Sequence, residues 1–165
     1  MRRAVWCVAA VAVFLAAGVA WAIEEGDKTP SLKIKPVNSE ETEPYDVIEK
    51  MGEKCVIFFI DVAGSDDESR EDGKKLMALA QHLHNDKLPS AVIMLMPRTD
   101  ATEDVLRKVA KENKFTAPLA VLDPKDEQLT NWHLEGHNNI IFIAGSKVLK
   151  VFHSFAEIEK AFAKG

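Results

Sequence analysis

Residues 55–62 read Cys55-Val56-Ile57-Phe58-Phe59-Ile60-Asp61-Val62, a run that is apolar at nearly every position. A strand with one buried face alternates apolar and polar residues, and this run does not alternate. It therefore predicts a strand buried on both faces, inside a parallel or mixed sheet.

The segment after this strand has the periodicity of a helix. Apolar residues recur at i, i+3, i+4 and i+7, which predicts a helix from about Asp66 to Asn85 with one buried face. A second buried strand over 91–96 and a second helix opening at Asp100 repeat the pattern. This alternating order of strands and helices predicts that the two strands run parallel in the core of the sheet. The side chains expected to point inward are Leu76, Leu79, Ala80 and Leu83 on the first helix, and Val105, Leu106, Val109 and Ala110 on the second.

The remaining segments complete an α/β domain. Residues 119–122 predict a short strand, and 127–133 a helical turn that carries Trp132, which we expect to pack against the hairpin that follows. That hairpin has strands at 140–143 and 148–152, and a helix over 155–163 closes the chain with Ile158 and Phe162 inward. Upstream, 32–35 suits an edge strand ending at Pro36. The prediction is a mixed central sheet of about five strands flanked by helices.

The N-terminus has the features of an export signal. Arg2 and Arg3 precede an apolar stretch that ends in Ala20-Trp21-Ala22, a small-x-small cleavage site. We expect residues 1–22 to be a signal peptide that is cleaved, with an uncleaved membrane anchor as the alternative. Either reading predicts a periplasmic or secreted domain. Residues 23–44 then form an N-terminal extension, and 45–165 the domain itself.

Composition narrows the function classes. The 165 residues are 47% hydrophobic, as in one globular domain. Loss of the signal leaves 19 basic and 26 acidic side chains, a net charge of −7, which argues against a nucleic-acid partner. Cys7 lies in the signal, so Cys55 is the one thiol of the mature chain and no internal disulfide can form.

Four segments resemble the redoxin group of thioredoxin-fold proteins, which includes peroxiredoxins of the AhpC/TSA type and exported TlpA-type thiol-disulfide oxidoreductases. Residues 26–34 resemble the entry strand of that group, and 53–59 its central strand. Residues 117–124, followed by 132–136, are similar to the segment that leads to its cis-proline loop, and 140–152 to the hairpin beyond that loop. The resemblance implies a thioredoxin-like fold over residues 26–163.

The sequence departs from that group where the group does its chemistry. The resemblance places a Cys-x-x-Cys or a peroxidatic Cys at the start of the helix after the central strand. This chain has Gly64-Ser65-Asp66-Asp67-Glu68 there, with no sulfur. Ser65 and Glu68 fit a capping box, and the acidic first turn would repel a thiolate or another anion.

The cis-proline loop is also altered. The corresponding residues are Gly136-His137-Asn138-Asn139, so Asn138 stands where the group has its proline. A non-proline cis bond costs about 3 to 4 kcal/mol, so we expect the peptide before Asn138 to be trans. The two departures together imply a thioredoxin-like protein without thiol-exchange activity.

Other chemistries have weaker candidates. Cys55 is the single catalytic candidate, for a divergent oxidoreductase or peroxidase, but its place early in an apolar strand favours a buried structural thiol. An intermolecular disulfide through Cys55 stays open. His133 and His137 have the i, i+4 spacing of metal ligands, although Gly136 interrupts the helix they would need.

The sequence therefore leads to three hypotheses. The first is an exported, redox-inactive binding or scaffold module with no cofactor, which uses the edge formed by Gly64–Glu68 and Gly136–Asn138 to hold a protein or peptide. The second is a thiol enzyme acting through Cys55. The third is a periplasmic metal-binding protein using His133 and His137.

Overall fold

The computed structural model describes residues 23–41, 43–62, 66–136 and 138–163. The predicted signal peptide and the candidate site residues Gly64, Ser65 and His137 lie outside these ranges. Within them, no helix combines the length and the apolar character needed to cross a membrane.

The predicted elements appear in the predicted order, and the structure adds a short strand and a short helix between residues 45 and 51. The strands are β1 (Lys33–Ile34), β2 (Tyr45–Asp46), β3 (Lys54–Asp61), β4 (Ser90–Leu95), β5 (Leu119–Leu122), β6 (Asn138–Ala144) and β7 (Lys147–Phe152). The helices are α1 (Val47–Met51), α2 (Asp67–Asn85), α3 (Asp100–Glu112) and α4 (Phe155–Phe162), with a 3-10 helix at Glu127–Asn131.

Five strands form the central sheet, in the order β5-β4-β3-β6-β7. β3 runs parallel to β4, and β4 runs parallel to β5. β6 is antiparallel to both β3 and β7. The mixed sheet with a C-terminal hairpin and helix confirms the predicted α/β architecture, with β3 in the middle as its apolar run indicated.

The predicted strand at 32–35 is shorter than expected and does not join the central sheet. Lys33 and Ile34 pair with Asp46 and Tyr45 in a separate two-stranded sheet. The Gln128 side chain bonds both backbone groups of Lys33: its oxygen accepts from the N–H at 2.8 Å and its amide nitrogen donates to the carbonyl at 3.1 Å.

Both faces of the central sheet are covered. On one face, Cys55, Ile57 and Phe59 of β3 pack with β6 and with Trp132, which is fully buried and whose ring centroid lies 5.2 Å from that of Phe59. On the other face, helices α2, α3 and α4 cover the sheet. That second layer contains Val56, Phe58, Ile60, Leu76, Ala80, Leu106, Ala110 and Ile158.

Two residues predicted to point inward are exposed. Val105 of α3 is 61% exposed, because the buried stripe of that helix passes through Leu106 and Ala110 and Val105 is rotated by about 100° from it. Phe162 is 65% exposed at the last residue of α4, with its ring centroid 6.4 Å from that of Phe142.

Candidate functional site

The predicted site edge forms at the carboxyl end of β3. β3 ends at Asp61, and α2 begins at Asp67. The antiparallel neighbour of β3, β6, begins at Asn138, which pairs with Ile60 near the carboxyl end of β3. The fold therefore brings the start of α2 and Asn138 to the same end of the sheet. Gly136 lies just before β6 and is exposed.

The helix start is capped one residue later than predicted. Asp66, and not Ser65, is the N-cap of α2, and its carboxylate accepts a hydrogen bond from the backbone N–H of Ser69 at 2.9 Å. Its extended backbone, with φ −71° and ψ −179°, suits that role. Asp67 and Glu68 follow in the first turn, so fixed negative charge occupies the positive end of the helix dipole. An incoming anion is disfavoured here.

The Asn138 side chain is buried and hydrogen-bonded. It is 4% exposed, and its Nδ2 donates to Oδ2 of Asp72 at 3.0 Å. The other oxygen of Asp72 accepts from the backbone N–H of Phe155, the first residue of α4, at 2.9 Å. One carboxylate thus joins α2, β6 and α4. The Oδ1 atom of Asn138 is buried and accepts no hydrogen bond from any residue in the described ranges.

The neighbouring residue, Asn139, fixes the approach to β6. Its side chain bonds both backbone groups of Glu135, accepting from the N–H at 3.2 Å and donating to the carbonyl at 2.9 Å. Asparagine amides therefore hold the loop where the redoxin group uses a proline. The bond between His137 and Asn138 includes a residue outside the described ranges, so its trans state stays a prediction.

Gly73 sets the distance between α2 and the sheet. A Cβ atom at this position would lie 3.2 Å from Cγ2 of Ile60, closer than ordinary van der Waals contact. The absence of a side chain lets the helix backbone pass directly over the end of β3, where Asp72 can reach Asn138.

Cys55 is far from this edge. It is the second residue of β3, six residues before Asp61, which at about 3.3 Å per residue separates the two by about 20 Å. Its side chain is 1% exposed, lies in the apolar layer around Phe59 and forms no disulfide within the described ranges. Burial raises the pKa of the thiol from its ordinary 9.0 to about 11. The prediction that Cys55 is a buried thiol is confirmed.

His133 lies on a cleft of about 420 Å³ at the carboxyl end of the sheet, together with Asp61 and Asp126. The floor of this cleft contains Leu95 and Leu129, which belong to the Phe59 face, whereas Asn138 bonds to α2 on the opposite face. Within the described ranges, no three His, Cys, Asp or Glu side chains are grouped so that they could hold a metal ion. Metal binding that involves His137 stays untested.

Sequence reasoning missed Asp72. Asn138 and Asp72 are 66 residues apart in the chain, so no local spacing links them. The one local signal is that Asp72 stands beside a glycine, six residues after the cap of α2, and this pattern does not identify a partner for its carboxylate.

Comparison with solved structures decides the fold. The thioredoxin domain of a thiol-disulfide oxidoreductase from Bacteroides vulgatus superposes with a TM-score of 0.62 at 13% identity, over 87% of this chain and 98% of the other. A thio-disulfide isomerase from Thermus thermophilus gives 0.58 at 17% identity, over 86% and 94%. This chain has a thioredoxin-like fold.

A thiol:disulfide interchange protein from a Bacteroides species has the same fold, with a TM-score of 0.59 at 16% identity over 88% of this chain and 93% of the other. No family model matches the sequence, and no curated protein matches it either. At these identities the likeness establishes the thioredoxin-like fold and nothing about chemistry.

Proposed function

We propose that this protein is an exported, redox-inactive thioredoxin-like module that binds a protein or peptide through the edge formed by the start of α2 and the start of β6. The observation that carries the proposal is the separation of sulfur from that edge. The mature chain has one thiol, Cys55, and it lies buried about 20 Å away.

The chemistry of the edge supports a binding role. Thiol exchange needs an accessible thiolate, which a positive helix end and nearby donors stabilise. Here Asp66, Asp67 and Glu68 occupy the helix end, and Asn138 is engaged by Asp72. Exposed carboxylates at a fixed helix start favour a partner that presents basic side chains or backbone N–H groups.

Export rests on the sequence. The Arg2-Arg3 start, the apolar stretch and the Ala20-Trp21-Ala22 site are the three parts of a secretory signal. The solved relatives named as thiol-disulfide oxidoreductase and interchange proteins share the fold. A domain of this kind outside the cytoplasm that lacks a usable thiol is suited to holding a partner rather than oxidising it.

A photo-crosslinking experiment tests the binding edge. A benzophenone amino acid placed at Asp67, whose side chain is fully exposed, is expected to give one defined protein adduct in the producing cell. The same probe at Glu53, exposed at the opposite end of β3, is the matched control and is expected to give none. The adduct should persist in a Cys55→Ala background.

Equal adducts from both positions would show that the edge has no special role. An adduct at Asp67 that disappears with Cys55→Ala would instead support the thiol hypothesis.

A further inference from the structure

A second cleft lies at the other end of the molecule from the site edge, where α3 ends. It has a volume of about 420 Å³ and is formed by the segment 37–40, the last two turns of α3 and the residues that follow the helix. Its apolar floor consists of Val37, Ala110 and Phe115, and its rim is polar. The rim residues are Asn38, Ser39, Glu40, Arg107, Lys111, Lys114 and Thr116.

Hydrogen bonds from the Asn38 and Gln81 side chains to the backbone fix the walls of this cleft. The Asn38 amide donates to the carbonyls of Phe115 and Ala117, at 3.1 and 2.8 Å, while its oxygen accepts from the N–H of Leu119 at 2.9 Å. On the far side, the Gln81 oxygen accepts from the N–H of Thr116 at 2.7 Å. The concavity is therefore formed before any ligand arrives, which lowers the entropic cost of binding.

Three cations line the cleft. Arg107 and Lys111 are spaced i, i+4 on α3, and Lys114 lies just after the end of that helix. The Nε of Arg107 donates to the Val37 carbonyl at 3.2 Å, which fixes the guanidinium at the cleft wall.

Carboxylates balance these charges only in part. Arg107 also contacts Asp104, and Glu40 lies on the facing rim. In the part of the chain that the structure describes, no carboxylate oxygen lies within 4.0 Å of the ammonium groups of Lys111 or Lys114. The other lysine of α3, Lys108, does not line the cleft, and its Nζ lies 3.9 Å from Oε1 of Glu112.

The helix end does not require these ammonium groups. Lysines near a helix C-terminus often serve its unpaired carbonyls. Here the chain's own amides do so: Asn113 N–H bonds the Val109 carbonyl at 3.0 Å, and Phe115 N–H bonds the Ala110 carbonyl at 2.8 Å. The N–H of Lys114 bonds the Lys111 carbonyl at 3.3 Å. Two cations thus remain beside a preformed apolar floor in a domain whose overall charge is negative.

We propose that this cleft binds a small organic anion, with its carboxylate or phosphate group between Lys111 and Lys114 and its apolar body on Phe115. This site is separate from the edge assigned to the partner protein and does not depend on it.

NMR titration of the mature domain with benzoate and with phenyl phosphate tests the proposal and distinguishes the two head groups. Each anion that fits is expected to give saturable shifts of the amide signals of Ser39, Lys114 and Phe115. Benzamide, which has the same ring without the charge, should give none. The double variant Lys111→Ala/Lys114→Ala is expected to weaken anion binding by about tenfold, and Lys108→Ala to leave it unchanged.

Absence of saturable shifts with both anions would overturn the proposal. So would equal binding of benzamide, because the cations would then contribute nothing. Equal weakening by Lys108→Ala would also overturn it, since the effect would come from the general charge of α3. Melting temperatures of the variants, which alter only exposed side chains, check that each protein is folded.

Discussion

Ellman's reagent is expected to react with Cys55 in the folded protein at least about 100-fold more slowly than in the chain unfolded by guanidinium. The rise of the thiol pKa from 9.0 to about 11 alone removes about 100-fold of the reactive thiolate at neutral pH. Burial of the sulfur at 1% exposure slows the reaction further. Stopped-flow absorbance with and without denaturant measures both rates.

The raised pKa of Cys55 also predicts how stability depends on pH. The native state favours the neutral thiol, so its contribution is fully present below pH 9 and is lost as the pH rises toward about 11. Across that window the free energy of unfolding should fall by about 2 to 3 kcal/mol more in the natural protein than in Cys55→Ala. Similar pH profiles for the two proteins, or rapid labelling of the folded natural protein, would place the thiol at the surface.

Replacement of Asp72 by alanine is expected to lower the free energy of unfolding by about 3 kcal/mol. The substitution removes the acceptor of two hydrogen bonds, one from the buried Asn138 side chain and one from the backbone of Phe155. Each bond to a charged acceptor contributes about 1.5 kcal/mol or more, and the Asn138 amide would be left buried without a partner. Urea unfolding measures the change.

Asp67→Ala is the matched control, because Asp67 lies in the same helix and its side chain is fully exposed. We expect it to change stability by about 0.5 kcal/mol or less. Asp72→Asn keeps one acceptor oxygen and should fall between the two. If Asp72→Ala costs no more than Asp67→Ala, the carboxylate does not join α2, β6 and α4 as described.

The central part of the fold could be predicted because its hydrophobic signal is strong. The run 55–62 is apolar on both faces, and only the middle of a sheet buries both faces of a strand. The weak elements were harder. β2 is two residues long and carries no periodicity, so nothing in the sequence indicated that it would pair with β1.

The candidate site was predictable in position but not in detail. The resemblance located the start of α2 and Asn138 at one edge, and the structure brings them together. The cap was misplaced by one residue because Ser65, Asp66 and Asp67 are all good capping residues and only the backbone geometry selects among them. The link from Asp72 depends on a contact between distant segments, which local patterns do not encode.

Turnover assays show directly whether Cys55 supports thiol or peroxide chemistry. The mature domain is assayed for reduction of insulin disulfides with dithiothreitol and for consumption of hydrogen peroxide, beside Cys55→Ala. Neither protein is expected to exceed the uncatalysed rate, because Cys55 is buried far from the edge formed by the starts of α2 and β6. Turnover by the natural protein that is lost in Cys55→Ala would make Cys55 a catalytic residue and the protein a thiol enzyme.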